Sequence, residues 1–199
     1  LPDFDWTWKR LGDLHRSQGN YEEALQAYER ALAIDRANVD TRVGLGLTYT
    51  AMRRFEDGEQ IAKGLLESSN KPQEENADYL FLVAMLHRAR GDHDTAIRLL
   101  EKALAVARRQ YHRAYMGALA ETYALMGDQD NALAWYRKTL ESERHSSPYM
   151  IQFHYSLGLL CEEKKDFRAA SEAYQRFLHF WKDADPDLTI LVDAKERLG

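Results

Sequence analysis

The sequence has little cysteine, no long apolar run and few consecutive β-branched residues, and each shortage excludes a class of protein. Cys161 is the one cysteine among 199 residues, so an intramolecular disulfide is impossible and a reducing compartment is favoured. No apolar stretch reaches the roughly 18 residues that a transmembrane helix needs. Runs of β-branched residues are rare, so the sequence predicts no sheet.

Signatures of catalysis and metal binding are also missing. Seven histidines are present, but none lies in an H-E-x-x-H pattern and no cysteine–histidine group has zinc spacing. His15, His87 and Cys161 occupy equivalent positions, and we expect them to pack between helices. Neither a phosphate-binding G-x-x-x-x-G-K nor a nucleophile G-x-S-x-G is found. We therefore expect no enzyme activity, no cofactor and no metal.

Composition describes an acidic chain suited to helices. Hydrophobic residues make up 45% of the sequence and charged residues 30%, with a formal net charge of −5 and a pI near 5.8. This charge argues against nucleic acid as the main partner. The chain begins at Leu1 without methionine or a signal peptide and looks like part of a longer protein; we expect a cytoplasmic location and no membrane insertion.

One pattern occurs five times along the chain. Each copy contains a small residue, often preceded by leucine, and then an aromatic residue, histidine or cysteine. Further along, each copy contains a second small residue and, four places after that one, a large residue. Such a period indicates a stacked array of repeats. The pairs of small residues are Gly12 and Ala24, Gly46 and Gly58, Ala84 and Ala96, Ala120 and Ala132, and Gly158 and Ala170. Turn residues lie between them at Gly19-Asn20, Arg53-Arg54, Gly91-Asp92, Gly127-Asp128 and Lys165-Asp166.

The pattern resembles the tetratricopeptide repeat (TPR), a helix–turn–helix unit of about 34 residues. Placing Trp8, Leu11, Gly12, Ala24 and Tyr28 on that pattern starts the first repeat at Asp5. The resemblance implies an all-α fold, a right-handed superhelical stack of five repeats with a C-terminal capping helix. We expect a single array over residues 1–199, with repeats near 5–38, 39–76, 77–112, 113–150 and 151–184, and a capping helix over 186–198.

The end of the array has its own signals. Asp185 suits the N-cap of a helix whose first residue is Pro186, a favoured place for proline. We expect Leu188, Leu191, Val192 and Leu198 to share one face of this helix, which would shield the open end of the stack.

The resemblance also implies a binding surface. In TPR proteins the second, fifth, ninth and twelfth positions of each repeat project into a concave groove. We expect an apolar middle to this groove, with basic residues at the first repeat and acidic residues at the last. The predicted groove residues are Lys9, Asp13, Arg16, Val43, Leu47, Thr50, Phe81, Met85, Arg88, Glu121, Tyr155, Leu159 and Glu162. Asp13 stands where the TPR class that grips C-terminal carboxylates has asparagine, so we predict no such clamp.

Two functions remain open at this point. The first is a protein-interaction scaffold that binds a peptide or helix of a partner protein in its groove. The alternative is a regulatory or dimerisation segment of a larger multi-domain signalling protein, a kinase or transcription regulator, which leaves a homodimer possible. The ending from Phe177 to Leu188 resembles the close of TPR arrays in such proteins.

Overall fold

Helices make up the regular structure of the chain. A computed structural model describes residues 4–141, 148–182 and 188–198, and these ranges contain eleven α-helices, two short 3₁₀ turns and no strand. The expectation of an all-α fold is therefore confirmed. The helices are α1 (Asp5–Ser17), α2 (Tyr21–Ile34), α3 (Val39–Ala51), α4 (Phe55–Glu67), α5 (Ala77–Ala89), α6 (His93–Val106), α7 (His112–Leu125), α8 (Gln129–Glu141), α9 (Pro148–Glu163), α10 (Phe167–Phe180) and α11 (Thr189–Glu196).

The helix starts follow the repeat pattern closely. The first helices of repeats one to three begin at Asp5, Val39 and Ala77, as the alignment of small residues predicts. Helix α7 begins at His112, one residue before the predicted start, and α9 begins at Pro148, three residues before it. Proline is favoured in the first helical turn because it has no amide hydrogen to leave unpaired there.

Each pair of helices within a repeat is joined at one residue in the left-handed region. Gly19, Gly91 and Gly127 adopt φ of 79°, 87° and 77°, and Arg53 and Lys165 adopt 59° and 60°. These are the five turn positions that the sequence predicts. Glycine takes this conformation without a Cβ clash, whereas arginine and lysine take it at a cost.

The described residues form two compact units, Leu1–Tyr115 and Met116–Gly199, and each unit has its own apolar core. In the first unit, Tyr28 is fully buried, and a Cβ built on Gly12 or Gly44 would lie 2.6 Å or 2.8 Å from its ring. In the second unit, Gly158 leaves the same kind of space for the ring of Tyr174. The small residues thus make room for an aromatic ring of the second helix.

The C-terminal helix is shorter than predicted. It begins at Thr189, and Leu188 precedes it with extended backbone angles. Asp185 and Pro186, the predicted helix start, lie outside the described residues. Leu191 is buried and Leu198 packs against the same cluster, but Leu188 and Val192 are exposed, so the expectation that all four share the packed face is wrong. Because the helix begins later, Leu188 lies before its first turn, and Val192 is about 100° around the axis from Leu191.

Candidate functional site

The helices of the first unit form two rows. The first helix of each repeat packs closely on the next first helix, α1 on α3 and α3 on α5, whereas the described parts of α2, α4 and α6 do not pack as closely on one another. In a stack of repeats the more closely packed row lies on the inside of the curve. We call α1, α3 and α5 the inner row and α2, α4 and α6 the outer row.

The apolar residues predicted for the groove differ in their exposure. Val43, Leu47 and Met85 are half-buried on the inner row. Phe81 and Thr50 are only 8% and 6% exposed, so the expectation that they line an open surface is wrong. The Phe81 ring stacks on Tyr115 with centroids 4.6 Å apart, and the Thr50 hydroxyl donates to the carbonyl oxygen of Gly46.

The basic end predicted at the first repeat is partly neutralised by its own neighbours. The Lys9 ammonium lies 2.8 Å from the Asp13 carboxylate, one helical turn away. The Tyr28 hydroxyl donates to the other Asp13 oxygen at 2.8 Å, and the Arg16 guanidinium donates to that hydroxyl at 3.4 Å. Burial raises the pKa of Tyr28, so its hydroxyl stays a donor. This network joins α1 to α2 and pairs the charge of Lys9, whereas Arg16 donates to a neutral hydroxyl and keeps its charge.

The predicted groove residues of the last repeat contact the C-terminal helix instead of an open groove. The Tyr155 hydroxyl donates to Asp193 at 2.6 Å, and Arg197 pairs with Glu162 and with Asp193. Leu159 packs against the cluster that contains Leu191 and Ala194 of α11. These three positions are therefore part of the cap. The remaining predicted residues, Arg88 on α5 and Glu121 on α7, are both half-buried.

A cluster that the sequence analysis missed lies at the beginning of the inner helices. Asp40 and Asp78 are the second residues of α3 and α5. The Tyr111 hydroxyl donates to Asp40 at 3.0 Å, and the Tyr115 hydroxyl donates to Asp78. Burial, and next the Asp40 carboxylate, raise the pKa of Asp78. We call Asp40, Asp78, Tyr111 and Tyr115 the acid–tyrosine cluster.

One signal in the sequence could have found half of this cluster. The second position of each TPR projects toward the groove, and Asp40 and Asp78 occupy that position in repeats two and three. The tyrosines had no such signal, because Tyr111 belongs to the short 3₁₀ turn Arg109–Tyr111 between repeats. Only the fold brings it to Asp40, which is 71 residues away along the chain.

The histidines and the cysteine considered as candidates for catalysis or metal binding lie in structural positions. Cys161 is 1% exposed in the core of the second unit, and burial raises the pKa of its thiol, as expected for a packed cysteine. His15 is half-buried, and its Nδ1 lies in the interior without a hydrogen-bond partner. His87 does more than pack, because its Nδ1 lies 2.9 Å from Asp92, the N-cap of α6. Within the described ranges no three histidine, cysteine or carboxylate side chains group as a metal ion would require.

Comparison with family models agrees with the geometry of the paired helices. Models of the TPR repeat match residues 12–52, and models of the tetratricopeptide repeat match 35–109, 73–144 and 151–178. The chain belongs to the tetratricopeptide repeat family. Its repeats therefore form a scaffold of the kind that mediates protein–protein interactions. No helix of residues 4–141, 148–182 and 188–198 has both the length and the apolar character needed to cross a bilayer.

Similar proteins share the fold at low sequence identity. The human protein O-mannosyl-transferase TMTC1 is 23% identical over 177 residues, which cover 87% of this chain. The chain spans about a fifth or less of the length of the curated relatives it matches. TTC0263, a thermophilic TPR protein of Thermus thermophilus, superposes with a TM-score of 0.70 at 20% identity, covering 98% of both chains. YrrB, a TPR protein with an unusual peptide-binding site, has a TM-score of 0.54 at 18% identity, covering 95% of this chain and 90% of YrrB.

Proposed function

We propose that this TPR array binds an extended or helical segment of a partner protein along the inner row of its first unit. The observation that carries the proposal is the half-buried apolar strip of Val43, Leu47 and Met85 on neighbouring helices. Apolar surface of this kind gains roughly 25 cal/mol per Å² when a partner covers it, less the cost of ordering the partner.

The spacing along the helices supports one continuous strip. Val43 and Leu47 are four residues apart on α3 and therefore lie on one face, one turn apart. Met85 lies on α5, which packs directly on α3. We do not expect Phe81 to contact the partner, because its ring lies beneath Tyr115 and supports the surface from below. YrrB, which has the same fold, has an unusual peptide-binding site, which supports a peptide as the kind of partner.

The charge expected at the two ends of the groove is revised. Lys9 and Arg16 interact with Asp13 and Tyr28, and Glu162 pairs with Arg197, so we do not assign the direction of the bound segment to these residues. The binding face proposed here is confined to repeats two and three.

The test compares two pairs of substitutions in the purified chain. A random-peptide phage library is selected on the parent protein, and the selected peptides are titrated against Val43→Thr plus Met85→Gln. We expect affinity to fall by about tenfold or more, because a few residues near the centre of an interface carry most of its binding energy. The change from valine to threonine keeps the shape of the side chain, and circular dichroism checks that the double variant keeps the helix content of the parent.

The matched control carries the same substitutions at exposed positions outside the proposed face. Val106 is 38% exposed on α6 and Met126 is 43% exposed after α7. Peptides should bind Val106→Thr plus Met126→Gln as they bind the parent. If the inner-row variant binds the peptides equally well, the inner row is not the binding face. If no peptide is selected and light scattering shows a tight dimer, the dimerisation alternative replaces the proposal.

A further inference from the structure

The acid–tyrosine cluster continues the apolar strip toward the beginning of the inner helices. On α3, Asp40 precedes Val43 by three residues and Leu47 by seven, and on α5, Asp78 precedes Met85 by seven. Residues at these spacings share one helix face. With a rise of about 1.5 Å per residue, the carboxylates lie roughly 5–10 Å from the apolar side chains along the helix axis. The inner face of α3 and α5 therefore has an acidic part and an apolar part that lie next to each other.

The tyrosine rings add an aromatic wall to the carboxylates. Tyr115 stacks on Phe81 with centroids 4.6 Å apart, and Tyr111 stacks on Tyr115 at 6.5 Å with an interplanar angle of 16°. Tyr115 is buried, whereas Tyr111 is half-buried and presents part of its ring to solvent. The face of such a ring attracts a cation placed over it.

The two carboxylates have hydrogen-bond donors but no counter-charge in contact. In the part of the chain that the structure describes, no lysine, arginine or histidine is within ion-pair distance of Asp40 or Asp78. Lys71 and Arg108 act on Asp78 only as more distant charges. An ionised carboxylate accepts about four hydrogen bonds, so each of these has acceptor capacity beyond its tyrosine hydroxyl.

A helix-dipole role alone does not account for Asp78. An acidic residue in the first turn is stabilised by the positive end of the helix, which lowers its pKa. The pKa of Asp78 is instead raised, by burial first and by Asp40 second. Asp78 is thus held in an environment that disfavours its own charge, which is common at positions that serve binding.

We propose that the inner face of repeats two and three receives a partner segment with a basic side chain, arginine above all, whose charged group lies between Asp40 and Asp78 and against the Tyr111 ring. The proposal rests on the binding face assigned above and adds the chemistry of its occupant. Charge complementarity identifies that occupant. A guanidinium donates to carboxylates through two parallel N–H groups and stacks on aromatic rings, which an ammonium does less well.

The geometry also predicts the order of residues in the partner. An extended peptide advances about 3.3 Å per residue. Where an extended segment runs along the axes of α3 and α5, its basic side chain should therefore be separated from the apolar anchors over Val43, Leu47 and Met85 by roughly two or three residues. A segment of this kind has one arginine beside a short apolar group, in contrast to a polybasic tract.

The experiment uses the peptides selected on the parent chain. We expect arginine to be enriched at a fixed distance from apolar residues in peptides whose binding depends on Val43 and Met85. Replacing that arginine with citrulline, a neutral group of the same shape, should weaken binding to the parent by about tenfold. The same replacement should change binding to Asp40→Asn plus Asp78→Asn by less than about twofold, because the charge partner is gone.

Two acidic residues on the outer row supply the control. Asp94→Asn plus Glu101→Gln removes the same two charges from exposed positions on α6, and this variant should keep the full tenfold preference for arginine. Equal preference in the Asp40 and Asp78 variant would overturn the assignment to the cluster. Groove-dependent peptides without basic residues would overturn the inference and leave the proposed function standing. The absence of any groove-dependent peptide would overturn the proposed function itself.

Discussion

At the scale of single residues, some glycines are required because no larger residue would fit at their positions. The Tyr28 ring lies between Gly12 on α1 and Gly44 on α3, and a Cβ on either glycine would be less than 3 Å from it. The ring cannot move away from one helix without meeting the other. Gly64 differs, since a Cβ there would meet only the end of the flexible Arg42 side chain at 2.7 Å.

We therefore expect the change from glycine to alanine to have different effects on the free energy of unfolding at Gly44 and at Gly64. Gly44→Ala should lower the free energy of unfolding by about 1–3 kcal/mol, the usual cost of overpacking a core. Gly64→Ala should leave it unchanged or raise it by up to about 1 kcal/mol, because alanine is the better helix former. Urea unfolding followed by circular dichroism measures both. A loss of stability at Gly64 as large as that at Gly44 would show that the Tyr28 contact is not the cause.

Asp78 predicts a dependence of stability on pH. Its pKa is raised in the folded chain, by burial first and by Asp40 next. The folded protein therefore holds the Asp78 proton more tightly than the unfolded chain does. The stability that this group contributes is fully present below its ordinary pKa and is lost as the pH rises through the raised value.

Removing the charge of Asp78 should restore that stability at pH values where the parent carboxyl is ionised. Asp78→Asn should raise the thermal midpoint at about pH 7 and raise it less near pH 3.5, where the parent carboxyl is protonated. Asparagine still offers an oxygen to the Tyr115 hydroxyl. Asp94→Asn on α6 controls for the loss of one exposed charge. A lower midpoint for Asp78→Asn at pH 7 would mean that the ionised carboxylate stabilises the fold.

At the scale of helices, asparagine and aspartate mark the starts, but they act in different ways. The side chains of Asn38, Asp92 and Asp166 accept from a backbone amide three residues later, as an N-cap does. Asn76 does this for Tyr79 and also donates to the carbonyl oxygen of Leu65, which joins α5 to α4. Asn20 stands at the N-cap of α2 but makes no side-chain cap hydrogen bond.

Asn20 and Asn76 both stand at an N-cap, but we expect their replacement by alanine to lower the free energy of unfolding by different amounts. Asn76 is 5% exposed, so Asn76→Ala removes a cap and one of the two side-chain donors to the Leu65 carbonyl oxygen. We expect a loss of about 1–2 kcal/mol in the free energy of unfolding. Asn20→Ala should cost only a few tenths of a kcal/mol by the same unfolding measurement. Equal losses at both positions would show that the side-chain hydrogen bonds of Asn76 contribute nothing beyond residue preference.

At the scale of the whole molecule, stability is distributed along the chain. Each of the two units buries its own apolar clusters, and helices pack mainly on those of the same or the next repeat. In repeat proteins of this kind, stability is close to a sum of repeats and their neighbouring interfaces. The net charge of −5 has the same sign as the acid–tyrosine cluster. Long-range attraction therefore favours a basic partner over an acidic one at low ionic strength.

The sequence by itself determined the helices, the turns and the family. Small residues and turn residues recur with the spacing of the TPR pattern, so the resemblance predicted the starts of α1, α3 and α5, and the turn residues predicted all five left-handed positions. These features depend on contacts within one repeat, between residues that are close along the chain. Local spacing is enough to specify them.

Only the tertiary structure decided which inner residues remain available to a partner. Phe81 has the register of a groove residue but is buried under Tyr115, and Glu162 is paired with Arg197, which directly follows the C-terminal helix. Asp40 meets Tyr111 although 71 residues separate them. Exposure and charge pairing depend on side chains that other repeats supply. Periodicity places a residue on a helix face, but it does not show what covers that face.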